Sequence, residues 1–128
     1  MPTGVNRLAV ERLPRRGKAG ERSESRRFMI SARMPTEKAN AAIKGGSFPQ
    51  TLQSIMEELQ PEAAYFTDVD GARGGYFIVN MDDASELPAK AEPLFFALGA
   101  TIQVHLVMTP EDLQKATPAL EQAAQKYG

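Results

Sequence analysis

Apolar side chains occupy every second position in the first regular stretch of the chain, residues 27–33, at Phe28, Ile30 and Ala32. A period of two predicts a β-strand, because successive side chains of a strand point to opposite faces. Three later stretches, rich in aromatic and β-branched residues, predict further strands: residues 63–68, 74–80 and 101–107. Between the second and third, Asp70-Gly71 predicts a hairpin turn, since both residues tolerate positive φ.

Helical spacing appears twice between the first two strands. Residues 37–44 predict a short helix that ends at Gly45-Gly46. Ser47 is a suitable N-cap for a second helix, with Pro49 in its first turn and Pro61 after its end. The apolar face of this second helix comprises Phe48, Leu52, Ile55, Met56 and Leu59.

Two further helices follow the third and fourth strands. Asp83 and Glu86 have the spacing of a capping box, and Gly99 is a natural stop. We expect the helix between them to be short or broken, because Pro88 and Pro93 lie within it. Thr109-Pro110 starts a final helix, and Thr117-Pro118 repeats that signal before a run to Lys126.

The predicted order is strand, helix, strand, strand, helix, strand and a terminal helix. This βαββαβ order is the ferredoxin-like motif, an α+β fold with a four-stranded antiparallel sheet and helices on one face. An extra C-terminal helix completes the predicted domain, which covers residues 27–128. A chain of 128 residues fits one such domain.

The predicted strands present two unlike faces. One is wholly apolar and should lie under the helices: Phe28, Ile30, Phe77, Val79, Ile102, Val104 and Leu106. The other mixes aromatic, aliphatic and polar groups: Ser31, Arg33, Tyr76, Ile78, Asn80, Gln103, His105 and Val107. The second strand adds either Tyr65 and Thr67 or Ala64 and Phe66 to this mixed set. Such a face leaves an exposed apolar patch in a monomer, which a two-fold contact with a second copy would cover.

The amino-acid composition limits the kinds of catalytic and metal-binding site that the protein can have. The chain has no cysteine, which excludes disulfides, thiol catalysis and cysteine-ligated metals. His105 is the single histidine, so a built-in zinc or copper site is not expected, whereas an all-oxygen magnesium or calcium site stays open. The apolar runs are too short to span a bilayer, and we expect a cytoplasmic protein.

Residues 1–26 differ in charge from the remainder. They carry seven basic and three acidic groups, a net charge of +4, whereas residues 27–128 carry eight basic and thirteen acidic groups, a net charge of −5. Two functions could explain such a basic stretch, a tail that binds nucleic acid or a transit peptide. Its three glutamates argue against a transit peptide, because such peptides contain few acidic residues. The alternative is a flexible basic extension without a partner, and no nucleic acid is expected to bind.

The chain resembles the dimeric α/β-barrel superfamily, in which two ferredoxin-like units join their sheets face to face. More closely, it is similar to a small bacterial domain family of unknown function within that group. The resemblance lies in four segments: residues 64–68, 71–79, 91–95 and 107–113. It implies a homodimer, and its relatives include cofactor-free monooxygenases, muconolactone-isomerase-like enzymes, heme-binding members and members without known activity. No catalytic motif of those enzymes is matched residue by residue.

His105 is the candidate catalytic residue, since it is the only side chain with ordinary acid–base competence near neutral pH. Arg33 is a candidate for binding a carboxylate, and four other residues are candidates for orienting a substrate. These four are Tyr65, Tyr76, Asn80 and Gln103. Five of these residues also have a structural alternative. For His105 it is an interface or core histidine satisfied by a neighbour, and for Arg33 it is a salt bridge at the dimer rim. For the other three it is a plain packing or hydrogen-bonding role: Tyr65, Tyr76 and Asn80.

Two functions remain open from the sequence. One is a small-molecule enzyme without a cofactor, a monooxygenase or an isomerase, whose substrate is a small, partly polar organic molecule. The other is a non-catalytic homodimer that binds a metabolite or serves as an interaction module. A pocket where a base and a donor converge favours the first, and a filled interface favours the second.

Overall fold

The computed structural model of the protein describes residues 26–128, and the predicted N-terminal extension falls almost wholly outside the described residues. Four strands form one antiparallel sheet in the order β2-β3-β1-β4. Their bounds are β1 Arg26–Arg33, β2 Ala63–Val69, β3 Ala72–Met81 and β4 Thr101–Leu106.

Five helices and one 3₁₀ turn connect and follow these strands. The helices are α1 Thr36–Gly45, α2 Phe48–Leu59, α3 Leu87–Leu98, α4 Pro110–Lys115 and α5 Thr117–Tyr127, and the 3₁₀ turn is Ala84–Glu86. The α+β class and the four-stranded antiparallel sheet are confirmed, and the strand order is compatible with a ferredoxin-like arrangement. Over residues 26–128 no helix combines the length and apolarity that crossing a membrane requires.

The caps predicted at Asp83, Gly99 and Thr109 are confirmed, whereas Ser47 forms no side-chain capping hydrogen bond and Thr117 is the first residue of α5, after Ala116. Asp83 and Glu86 form a capping box at the 3₁₀ turn, and Thr109 and Asp112 form another at the start of α4. Gly99 ends α3 in the left-handed conformation at φ 62°. Asp70 and Gly71 both have positive φ in the β2–β3 turn, at 49° and 82°, so the chain reverses as predicted.

Helix α3 corrects one expectation, because it is continuous over 12 residues despite its two prolines. Pro88 lies in the first turn, where a backbone N–H would have no partner within the helix. Pro93 removes only the hydrogen bond to Ala89, which lies on an exposed side of the helix where water can reach the carbonyl. Burial of Leu94 and Leu98 on the opposite side stabilises the helix.

The core lies between one face of the sheet and helices α1 to α3. Its fully buried side chains come from both layers: Ile30, Val79, Ile55, Leu59 and Leu94. Each contributes about 1.5–3 kcal/mol by leaving water. The pairing of Ala64 with Phe77 places Ala64 and Phe66 on this helix-covered face, which decides the alternative that the sequence left open for β2.

The helices leave part of the apolar sheet face uncovered at the edge strand β4. Leu106 belongs to the predicted apolar set but is 64% exposed, although its pairing with Phe28 places it on the helix side. Nearby, a cavity of about 200 Å³ lies between Phe28, Met81, Leu87 and Val104. The apolar face is therefore sealed beneath the helices at its centre and open both at this corner and at Phe66 on the other edge strand, which is 54% exposed.

Gly74 should resist substitution by alanine, because a Cβ atom there would overlap the Ala32 carbonyl oxygen and lie 2.7 Å from Val69 Cγ2. We expect Gly74→Ala to lower the free energy of unfolding by about 1–3 kcal/mol, the usual cost of overpacking. Denaturant unfolding followed by circular dichroism measures this change.

Gly45→Ala is the matched control, since Gly45 ends α1 and a Cβ there would meet no atom within 4 Å. It should leave stability unchanged or raise it by up to about 1 kcal/mol. Equal effects of the two substitutions would contradict the close approach of backbone at Gly74.

Candidate functional site

The sheet face opposite the helices, which we call the open face, gathers the residues that the sequence singled out. The strand pairings arrange it in rows that run across the sheet. One row is Ala63, Ile78, Met29 and His105, and the next is Tyr65, Tyr76, Ser31 and Gln103. Tyr65 therefore joins the open face, as one of the two alternatives for β2 predicted.

Burial on the open face falls from its centre to its edges. Ser31 is buried, and Met29, Tyr76 and Ile78 are half-buried although α1, α2 and α3 all pack on the other side. Tyr65 on the edge strand β2 is 66% exposed, and Gln103 on the edge strand β4 is also exposed. The centre of this face thus combines the buried Ser31 with half-buried apolar and aromatic side chains, and its margins carry exposed groups such as Tyr65 and Gln103.

His105 lies on β4 opposite Met29, and its side chain is exposed at the edge of the open face. Among residues 26–128 no side chain or backbone group forms a hydrogen bond with its imidazole. Gln103 is two residues away on the same strand, roughly 7 Å along it. The imidazole is therefore free to contact a ligand, but no described residue orients it.

Arg33 stands at the far end of the open face from His105. Its Nε donates a hydrogen bond to the Asp70 carbonyl oxygen at 3.4 Å, which ties it to the β2–β3 turn. Arg33 pairs with Thr101, which lies four residues before His105 on β4. The backbone of Arg33 and the backbone of His105 are therefore roughly 13 Å apart along the strand direction. Within one chain, the candidate base and the candidate anion-binding group do not converge.

Asn80 takes part in a polar cluster that the sequence did not predict. Its Nδ2 donates to Glu62 Oε1 at 3.2 Å, and Arg27 Nε donates to both Glu62 oxygens at 2.9 and 3.0 Å. These bonds from Arg27 and Asn80 lower the pKa of Glu62, and the same contact with Glu62 raises the pKa of Arg27. Glu62 precedes β2, so only the strand pairing brings these three residues together.

The two cavities described in the structure lie on the helix side, away from the predicted site residues. The larger, of about 540 Å³, is a shallow groove between α2 and α3 lined by Ile55, Glu58, Glu92 and Phe96 among others. No group of three or more acidic or histidine side chains within the described part of the chain could hold a metal ion.

Comparison of the chain with family models, with curated proteins and with solved structures gave no match. The functional inference therefore depends on the geometry of the open face.

The Arg27–Glu62 contact should make stability depend on acid pH. The pKa of Glu62 is lowered in the folded state, so its stabilising contribution is complete above the ordinary value of 4.5. That contribution should disappear as the pH falls through the lower folded pKa. We expect Glu62→Gln to flatten the acid limb of a thermal-stability profile recorded between about pH 2 and 6.

Glu57→Gln is the control, because Glu57 lies exposed on α2 and its carboxylate accepts no hydrogen bond from residues 26–128. A Glu62→Gln profile parallel to that of the wild type would show that the contact contributes nothing measurable in solution.

Proposed function

We propose that the protein is a homodimeric small-molecule-binding domain of the dimeric α/β-barrel type, in which two open faces enclose the ligand site. The observation that carries the proposal is the open face itself. Its half-buried centre of Met29, Tyr76 and Ile78 is bordered by polar edge residues, and none of the helices of the core covers it.

Exposed apolar surface of this kind is unfavourable in a monomer and favours association. A two-fold contact between two copies is the simplest way to cover this surface, because such a contact uses the same self-complementary patch on both copies. The β2 edge of the sheet carries Tyr65 and the β4 edge carries His105. A face-to-face dimer would place copies of these groups around one shared space, so groups that are separate in one chain would meet across the interface.

The ligand that fits such a space is a small organic molecule with an apolar or aromatic body and a polar or anionic group. Tyr76 and Ile78 offer apolar contact area, and Gln103 and Asn80 offer hydrogen-bonding groups. Arg33 is the candidate for a carboxylate, since a guanidinium binds that group through paired hydrogen bonds. The proposed site involves no cofactor.

Catalysis by His105 is the second candidate function, in the manner of a cofactor-free monooxygenase or an isomerase. It is favoured by an imidazole that is exposed on the open face and forms no hydrogen bond within residues 26–128. A general base requires a partner that orients it, and here the partner would be the ligand or the second copy. A dimer that binds a metabolite without transforming it, or serves as an interaction module, is the non-catalytic alternative.

The dimer has a direct test in Ile78→Glu, which places a carboxylate at the half-buried centre of the open face. Burying an unpaired charge there should raise the dimer dissociation constant by at least about 100-fold. Sedimentation equilibrium measures the constant, and circular dichroism confirms folding.

Ile43→Glu is the control, since Ile43 is exposed on α1 on the other side of the sheet and should not affect association. A wild-type protein that is monomeric at high micromolar concentration would refute the proposed dimer.

The role of His105 is tested after a thermal-shift screen of small carboxylates and phenols identifies a ligand or substrate. His105→Gln keeps much of the size and hydrogen bonding but removes the titratable group. For a general base we expect a loss of about 10²–10⁴-fold in rate, with ligand-induced stabilisation retained. A variant that turns over at the wild-type rate excludes the catalytic role and leaves the binding function.

A further inference from the structure

The C-terminal arm, which consists of α4 and α5, is an apolar surface without a partner in the described chain. On α5 the apolar residues follow the spacing of one helical face: Leu120, Ala123, Ala124 and Tyr127. Leu120 is 57% exposed and Tyr127 is 78% exposed. Leu113 on α4 is 48% exposed. We call this set the arm stripe.

An arm of this kind requires external contacts to be stable. Helix α5 has 11 residues, and isolated helices shorter than about 12–15 residues are marginal in water even for favourable sequences. No residue of α5 is buried, and among residues 26–128 it packs most closely against α4. The amphipathic pattern of α5 is therefore matched to a surface that one copy of the domain does not provide.

We propose that the arm stripe packs against a second copy of this chain and forms part of the dimer interface. This inference rests on the proposed dimer and extends it to a second surface. The arm begins beside the open face, because the Val107 backbone N–H donates to the Arg27 carbonyl oxygen at 3.0 Å and continues the β1–β4 pairing. Two unpartnered apolar surfaces are thus adjacent in one chain.

The size of the open face supports a contribution from the arm. Four strands spaced by about 4.8 Å, with about seven residues each at 3.3 Å, give a face of roughly 19 by 23 Å. The flat outline of this face is therefore about half of the roughly 800 Å² of accessible surface per partner that a standard stable interface buries, and the relief of its side chains makes up part of the difference. Packing of the arm stripe adds Leu113, Leu120 and Tyr127, so the combined surface approaches the area that a stable dimer needs.

The charge of α5 is compatible with a second copy as its partner and unfavourable for an anionic one. It carries one acidic residue, Glu121, and one basic residue, Lys126, so its formal side-chain charge is zero. An anionic membrane or a nucleic acid would require an excess of basic groups. A neutral helix does not repel a copy of itself, and Ala123 and Ala124 leave room for close helix packing.

The experiment introduces the same carboxylate on opposite sides of α5 in the full chain. Leu120→Glu places it in the arm stripe, and Gln122→Glu places it on the far side of the helix as the matched control. Loss of one buried leucine from each copy should raise the dimer dissociation constant by at least about tenfold. The control should leave the constant within about twofold of the wild type.

A second measurement exploits the absence of cysteine, which allows a single thiol to carry an environment-sensitive dye. With the dye on Leu120→Cys, dilution through the dissociation constant should shift emission to longer wavelength, whereas on Gln122→Cys it should not. A dye at position 120 that does not respond to dilution, or a Leu120→Glu protein that still dimerises normally, overturns the arm proposal.

The outcomes separate the two proposals. If Ile78→Glu dissociates the dimer and Leu120→Glu does not, the open-face dimer stands and the arm contact is wrong. A wild-type monomer overturns both. If Leu120→Glu and Ile78→Glu each weaken association while both controls do not, the arm and the open face belong to one interface.

Discussion

The position of β1 between β3 and β4 is the constraint on which the remainder of the structure depends. Residue pairing such as Ile30 with Phe77 and with Val104 places the largest apolar side chains of three strands on one face. Helices α1 to α3 can bury that face because the crossovers lie on the same side of the sheet. The register that aligns the core also aligns the open face, since a shift by one residue would exchange the two.

The β2–β3 hairpin shows how local geometry supports this register. Asp70 and Gly71 adopt positive φ and close a tight turn, and Val69 then packs over Gly74. The turn is also held to β1, because Arg33 Nε donates a hydrogen bond to the Asp70 carbonyl oxygen. One end of the open face is therefore partly filled by the chain itself, and the uncovered region lies toward Ile78, Met29 and His105.

The chemistry available on the open face depends on what meets it. One chain presents the imidazole of His105 at one end of this face and the guanidinium of Arg33 at the other, at backbone levels roughly 13 Å apart along the strand. Association of two copies is the physical step that would enclose water-excluded space and bring further groups beside them. In the proposed dimer, binding, catalysis and stability of the arm would all be linked to a single event, the burial of surface that one copy leaves exposed.

The sequence by itself determined the order of strands and helices, the caps at Asp83 and Thr109, the hairpin turn, and the division of the strands into an apolar and a mixed face. These features are local, because alternation, proline, glycine and capping residues act within a few positions. Tertiary structure decided the side of β2 to which Tyr65 belongs, the continuity of α3 through Pro93 and the exposure of Leu106. It also brought Arg27, Glu62 and Asn80 together and separated His105 from Arg33. These outcomes depend on register and on packing between segments distant along the chain, which no local pattern encodes.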